Sequence, residues 1–133
     1  MDVVMKDEIS GKIKIIDIKT SSRAWNKYQK ANEVKNDQLL LYKEYYSKKH
    51  DVPVEMIDIE FLIFKRKLWE KAEFPQKRIQ RHVPANGKPS MNKMRSRFEE
   101  FLDACYDEDG NVKDIEYEKC TSKCKAFTNC KTL

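Results

Sequence analysis

The segment Ile13-Lys14-Ile15-Ile16-Asp17-Ile18-Lys19-Thr20 sets a carboxylate and an ammonium two residues apart at the end of an apolar run. On a β-strand, residues two apart share a face, so Asp17 and Lys19 project together. A carboxylate offers the hard oxygen ligands that Mg²⁺ takes. A neighbouring lysine orients an attacking water or neutralises charge that develops on a phosphate. The pair is the minimum that holds a divalent cation and a scissile phosphate side by side. Asp-x-Lys alone is a common triplet, however. Glu33-Val34-Lys35 is a similar one, in a polar stretch with no apolar strand leading to it. On spacing alone, an ordinary surface ion pair worth at most about 1 kcal/mol is the better account of Asp17 and Lys19.

Two further features shift that balance. If Asp7 pairs with Lys12 across a four-residue loop, antiparallel register places Asp2 opposite Asp17. Two facing carboxylates repel unless a cation lies between them. Gln38 and Tyr42 are four residues apart in a segment with helical spacing and therefore share one face. A tyrosine so placed is usually core, and a helical glutamine is usually solvated.

The elements that must position these groups are legible in outline. Val3–Lys6 and Lys12–Lys19 are rich in Val and Ile, with turn residues Asp7–Gly11 between them, and predict a hairpin. Thr20–Val34 is polar, with Ser21 and Ser22 as candidate helix caps and Trp25 and Tyr28 as apolar anchors. Leu39, Leu40, Tyr42, Tyr45 and Tyr46 predict a helix over Asn36–Lys49, capped by Asn36 or Asp37. Alternation in Ile57–Leu68 predicts a strand, and Lys77–Val83 a second strand that pairs with it. Ser90 is expected to cap a helix reaching Tyr106, with the stripe Met91, Met94, Phe98, Leu102 and Cys105. A mixed α/β sheet flanked by helices is the simplest way to bury both helix stripes. Residues 1–110 are expected to form this core and residues 111–133 a cysteine-containing tail.

A hairpin ending in Ile-Asp-Ile-Lys-Thr-Ser, followed by a helix carrying Gln38-Leu39-Leu40-Leu41-Tyr42, resembles the RecB-like branch of the PD-(D/E)xK nuclease superfamily. That branch includes phage and bacterial exonucleases and CRISPR-associated nucleases with an iron–sulfur cluster. The likeness is greatest to exonucleases of large tailed phages. It implies a restriction-endonuclease-like core and Mg²⁺- or Mn²⁺-dependent hydrolysis of DNA. Asp2 and Asp17 would be metal ligands, with the carbonyl of Ile18 as a further one. Lys19 would be the catalytic lysine, and Gln38 and Tyr42 would contact DNA or steady the site. Family members usually have a Gly three residues before the first Asp and an upstream helix that often carries a His. This sequence begins one residue before Asp2, so it reads as an N-terminally truncated core, and His50 and His82 stand elsewhere.

Cys120, Cys124 and Cys130 resemble the C-terminal cysteine cluster of the iron–sulfur members. Those members add a fourth, upstream cysteine, for which Cys105 is the one substitute here. Zinc is the competing metal, and inert reduced thiols are the alternative to both.

Charge distribution agrees with a polyanionic partner. Residues 1–60 carry 11 basic and 11 acidic residues, residues 61–97 carry 11 basic against 2 acidic, and residues 98–133 carry 5 against 9. The basic block, with Lys65, Arg66, Lys67, Lys77, Arg78 and Arg81 expected on two adjacent strands, is the candidate DNA-binding face. A solvated lysine-rich surface is its plain alternative. The sequence has no apolar run near the roughly 18 residues a membrane span needs and no secretory signal, so a cytoplasmic location is expected, in a bacterium or a phage-infected cell. A larger recombination, repair or phage replication assembly is an expected setting. The rival readings are a non-catalytic DNA-binding fragment or relic of the same fold and, further off, a small domain stapled by metal-bound cysteines.

Overall fold

The computed structural model describes residues 1–113, so Cys120, Cys124 and Cys130 lie outside the described residues. By its contacts the chain divides into two units, Met1–Arg95 and Ser96–Leu133.

The first unit is built on a four-stranded mixed sheet in the order β1-β2-β3-β4. Strands β1 (Val3–Lys6) and β2 (Ile13–Ser21) form the expected hairpin, with Val3 opposite Ile16 and Lys6 opposite Ile13. Its loop is tied by the Asp7 amide, which donates to the Lys12 carbonyl at 2.8 Å. The Asp7 carboxylate accepts from the Ser10 hydroxyl at 2.6 Å and the Ile9 amide at 3.0 Å. Gly11, at φ 69°, supplies the left-handed residue that closes this turn.

A short helix α1 (Lys27–Lys30) and a long helix α2 (Glu33–His50) then cross to β3 (Ile57–Lys65), which runs parallel to β2. Parallel pairing requires such a crossover, and α2 supplies it. Helix α2 begins three residues before the expected start. Its cap is Asn32, whose side chain accepts from the Lys35 amide at 3.0 Å. Asn36, the expected cap, instead donates from Nδ2 to the Lys30 carbonyl. Ser21 closes β2 and caps no helix; Trp25 is buried as an anchor, while Tyr28 is exposed. Asp51, at φ 52°, takes the left-handed position that ends α2.

Strand β3 ends at Lys65, before the expected Leu68, and β4 (Ile79–His82) pairs antiparallel to it, Phe61 opposite His82. Of the six basic residues expected on these strands, only Lys65 and Arg81 stand on them. Arg66, Lys67, Lys77 and Arg78 lie in the connection, which also holds Pro75.

The core lies on one face of the sheet, here called inner. Ile13, Ile15, Ile57, Ile59, Phe61 and Ile63 pack there with Leu39 and Leu40 of α2, Trp25, and Met91 and Met94. The last two belong to α3 (Lys88–Cys105), which starts two residues before the expected cap Ser90. The rest of that helix belongs to the second unit. There Phe98 and Leu102 are exposed and Cys105 is a half-buried free thiol, so the predicted apolar stripe buries only its first turns. Within the same unit the Asp107 carboxylate gathers the amides of Asp109 and Asn111, and Tyr106 bridges to Val112. Among the described residues, no helix is long and apolar enough to cross a membrane.

Candidate functional site

Register decides what meets at the C-terminal end of β2. Asp17 stands beside Phe61 and Lys19 beside Ile63, so both polar side chains come from the inner, core-facing row. Asp17 is only 3% exposed. The Lys19 ammonium lies 2.8 Å from Asp17 Oδ2 and donates to Gln38 Oε1 at 3.0 Å. Gln38 in turn donates from Nε2 to the Tyr42 hydroxyl at 2.9 Å. Four residues singled out from the sequence thus form one unbroken chain, Asp17–Lys19–Gln38–Tyr42. Helix α2 supplies its second half because Gln38 and Tyr42, one turn apart, both face β2. The lysine head is held over the Phe61 ring, 6.0 Å from its centroid. An ammonium fixed by two polar partners and a ring is positioned before any ligand arrives.

Asp2 sits just outside the ladder. Its amide reaches the Ile16 carbonyl at 3.3 Å, and its carboxylate accepts from the Ile18 amide at 2.6 Å. The hairpin therefore brings Asp2 to the flank of the Asp17 segment, as the Asp7–Lys12 register requires, with one carboxylate oxygen engaged by the Ile18 amide.

The donor set suits a divalent cation of the Mg²⁺ type. Asp17 Oδ2 is buried, with the Lys19 ammonium 2.8 Å away as its ion-pair partner and no hydrogen bond from another group among the described residues. A carboxylate oxygen with one ammonium beside it has lone pairs left for a hard cation. Among the described residues no group of three or more His, Cys, Asp or Glu is arranged to hold a metal. Mg²⁺ does not need such a cage, since it keeps several waters and takes one or two carboxylates plus phosphate oxygens.

Beside this chain opens a cleft of about 730 Å³, lined among others by Lys19, Ser22, Arg23, Lys35, Gln38 and Arg66. Its size falls within the range of ligand sites. Lys35 also holds its ammonium 4.6 Å from the Trp25 ring centroid. Neither Arg23 nor Lys35 was singled out from the sequence as a site residue. Lys35 had a readable signal, three residues before Gln38 on one helix face. Arg23 had none, since it stands in an irregular segment.

The expected DNA-binding residues fare differently from one another. Arg66, Lys67 and Lys77 are exposed. Arg78 donates to the Lys65 carbonyl at 3.1 Å, which spends part of its fork on the chain itself. Arg81 grips Glu60 with both Nε and Nη2, and Lys14 reaches the same carboxylate at 2.7 Å. Glu60 is 2% exposed. The Arg81 guanidinium foremost, helped by Lys14 and opposed by burial, holds its pKa down to about 2. Arg81 is therefore committed within the fold.

His82 lies one strand beyond Phe61 in the Asp17 row, its ring parallel to Phe61 with centroids 6.2 Å apart. Burial lowers its pKa.

The family model of the PD-(D/E)XK nuclease superfamily matches residues 1–131. No curated protein and no solved structure matches the chain.

Proposed function

The chain belongs to the PD-(D/E)XK nuclease superfamily, and from that premise we propose that it is a Mg²⁺- or Mn²⁺-dependent deoxyribonuclease of the RecB-like branch, acting as an exonuclease. The observation that carries this reading is the chain Asp17–Lys19–Gln38–Tyr42, which sets a buried carboxylate and a positioned ammonium side by side at the end of β2.

Asp17 and Asp2 would hold the cation, with the carbonyl of Ile18 as a further oxygen ligand. When bound, the cation supplies a Lewis acid that lowers the pKa of a water and polarises the scissile phosphate. Lys19, held by Asp17 and Gln38, places its positive charge where negative charge grows on the phosphate oxygens. Its two anchors keep it from swinging into solvent, so little ordering remains to be done when substrate binds. Gln38 fixes the lysine and borrows its own orientation from Tyr42. Lys35, Arg23 and Arg66, around the cleft, would neutralise neighbouring phosphates of the same strand.

The test is cleavage of linear DNA with Mg²⁺ or Mn²⁺, by the chain and by Asp17→Ala. Cutting by the chain, lost in Asp17→Ala with DNA affinity retained, supports the reading. Wild-type cutting by Asp17→Ala removes the site assignment. DNA binding without cutting under any divalent metal favours a non-catalytic binding module instead.

A further inference from the structure

The ladder between β2 and β3 does not stop where the strands do. The Arg66 amide donates to the Ser21 carbonyl at 2.8 Å and the Lys67 amide to the Ser22 carbonyl at 3.3 Å. The segments that leave the C-terminal ends of these two parallel strands therefore run side by side. Arg23 on one and Lys65 and Lys67 on the other come to the end of the sheet that carries Lys19.

A second hollow of about 530 Å³ opens there, lined by Arg23, Lys65, Lys67, Leu68, Trp69 and Gln76. Arg23 and Ala24 line both this hollow and the cleft at Lys19, so the two abut. The two tryptophans have opposite fates. Trp25 is 5% exposed and packs on Phe61 with centroids 5.3 Å apart. Trp69 is 67% exposed. Its backbone is nevertheless held: the Trp69 amide donates to Gln76 Oε1 at 3.0 Å, and the Ala72 amide to the Trp69 carbonyl at 3.2 Å.

We propose that the hollow at Trp69 is a nucleobase-stacking site, which holds an unpaired nucleotide of a strand whose neighbouring phosphates lie along Arg23 toward Lys19. The chemistry is that of single-strand recognition, in which a flat ring offers a sequence-tolerant face to a base and flanking cations take its phosphates. Leu68 adds apolar area beside the indole, and Lys65, Lys67 and Arg23 supply the cations. Bases inside a duplex are already stacked on one another and leave no face for Trp69. The site therefore distinguishes an unpaired end from a closed duplex. The inference rests on the nuclease reading for its direction toward Lys19, but binding alone tests it.

The experiment measures, in EDTA, the affinity of the full chain for a fluorescein-labelled oligothymidylate and for a blunt-ended duplex. Trp69→Ala should weaken oligothymidylate binding about tenfold and leave the duplex unchanged. Trp69→Phe, which keeps a ring, should retain most of the affinity. Oligothymidylate should quench the tryptophan emission of the wild type, and Trp69→Phe should lose that quenching because Trp25 is buried. Unchanged oligothymidylate affinity in Trp69→Ala overturns the proposal, as does an equal loss on the duplex. A chain that cuts no DNA yet binds oligothymidylate through Trp69 sinks the nuclease reading and upholds this one. A chain that cuts DNA while Trp69→Ala binds normally does the reverse.

Discussion

Asp17 and Glu60 stand on adjacent parallel strands, each almost wholly buried, on opposite faces of the sheet. Glu60 is gripped by Arg81 and Lys14, and every charge in that trio has a partner. Asp17 has one ammonium beside it, and its Oδ2 takes no hydrogen bond from another group among the described residues. Both carboxylates cost desolvation free energy. At Glu60 two cations offset it, and at Asp17 the Lys19 ammonium alone does so. A buried carboxylate with a single ammonium beside it has oxygen lone pairs left over, whereas one gripped from two sides is committed within the fold.

The largest effect that sharpens this contrast is on catalysis. Asp17→Ala should lower the rate of linear DNA cleavage roughly a thousandfold or more. The same substitution should change the urea midpoint less than it changes the rate, because the carboxylate it removes has the Lys19 ammonium as its partner and costs desolvation free energy to bury. Lys19→Ala should reduce cleavage at least about a hundredfold while leaving metal binding, read by calorimetry, largely in place. A lysine that serves only as a surface partner of Asp17 would leave the rate near wild type.

At Glu60 the prediction inverts. Glu60→Gln should lower stability by about 2 kcal/mol in urea unfolding, with the cleavage rate at saturating DNA preserved. The acid limb gives the sign. The carboxyl titrates near 2 in the fold and near 4.5 when unexposed to these partners, so its contribution is complete above about 4.5 and is lost as pH falls toward 2. Denaturation followed from neutral pH down to about 2 should show Glu60→Gln with a flatter loss than the wild type. An identical acid limb in both proteins would break the comparison.

Smaller effects are expected in the surroundings of Lys19. Gln38→Ala and Tyr42→Phe should lower cleavage by roughly tenfold or less, since each removes one hydrogen bond of about 1 kcal/mol that steadies the lysine. The smallest effect separates free from committed cations. Lys67→Ala should flatten the dependence of log affinity for DNA on log salt by about one unit. Arg81→Ala should leave that slope unchanged, because its guanidinium already serves Glu60.

The contrast explains what could be read in advance. The hairpin, its register at Asp7–Lys12 and the shared face of Gln38 and Tyr42 follow from local patterns, and they bring the candidate residues together. The role of Glu60 does not. In Ile57–Phe64 it stands in the row opposite Ile57, Ile59, Phe61 and Ile63, and its partners come from two other strands. Arg81, by the same cause, read as a free cation in a basic block. The start of α2 was misplaced because Asn32 and Asn36 are equally good caps in sequence, and only the bond of Asn36 to Lys30 decides between them. Arg23 and Trp69 entered the site region through the side-by-side exit of β2 and β3, a non-local fact that no spacing along the chain contains.

The parallel pairing of Ile13–Ser21 with Ile57–Lys65 has a consequence for how the protein acquires its shape. A hairpin can zip up from its turn, but β2 and β3 meet only after the whole intervening chain has looped back. Contacts so distant along the chain repay their closure entropy late, which slows folding relative to a helical bundle of the same size. Asp17 can reach Asp2 within the hairpin, and Lys19 can reach Gln38 across a modest loop. The aromatic floor at Phe61 arrives only with β3. Nascent chains halted before residue 57 would therefore carry the carboxylates and the lysine but not the surface that holds them, and catalytic geometry should emerge in the same cooperative step as the sheet.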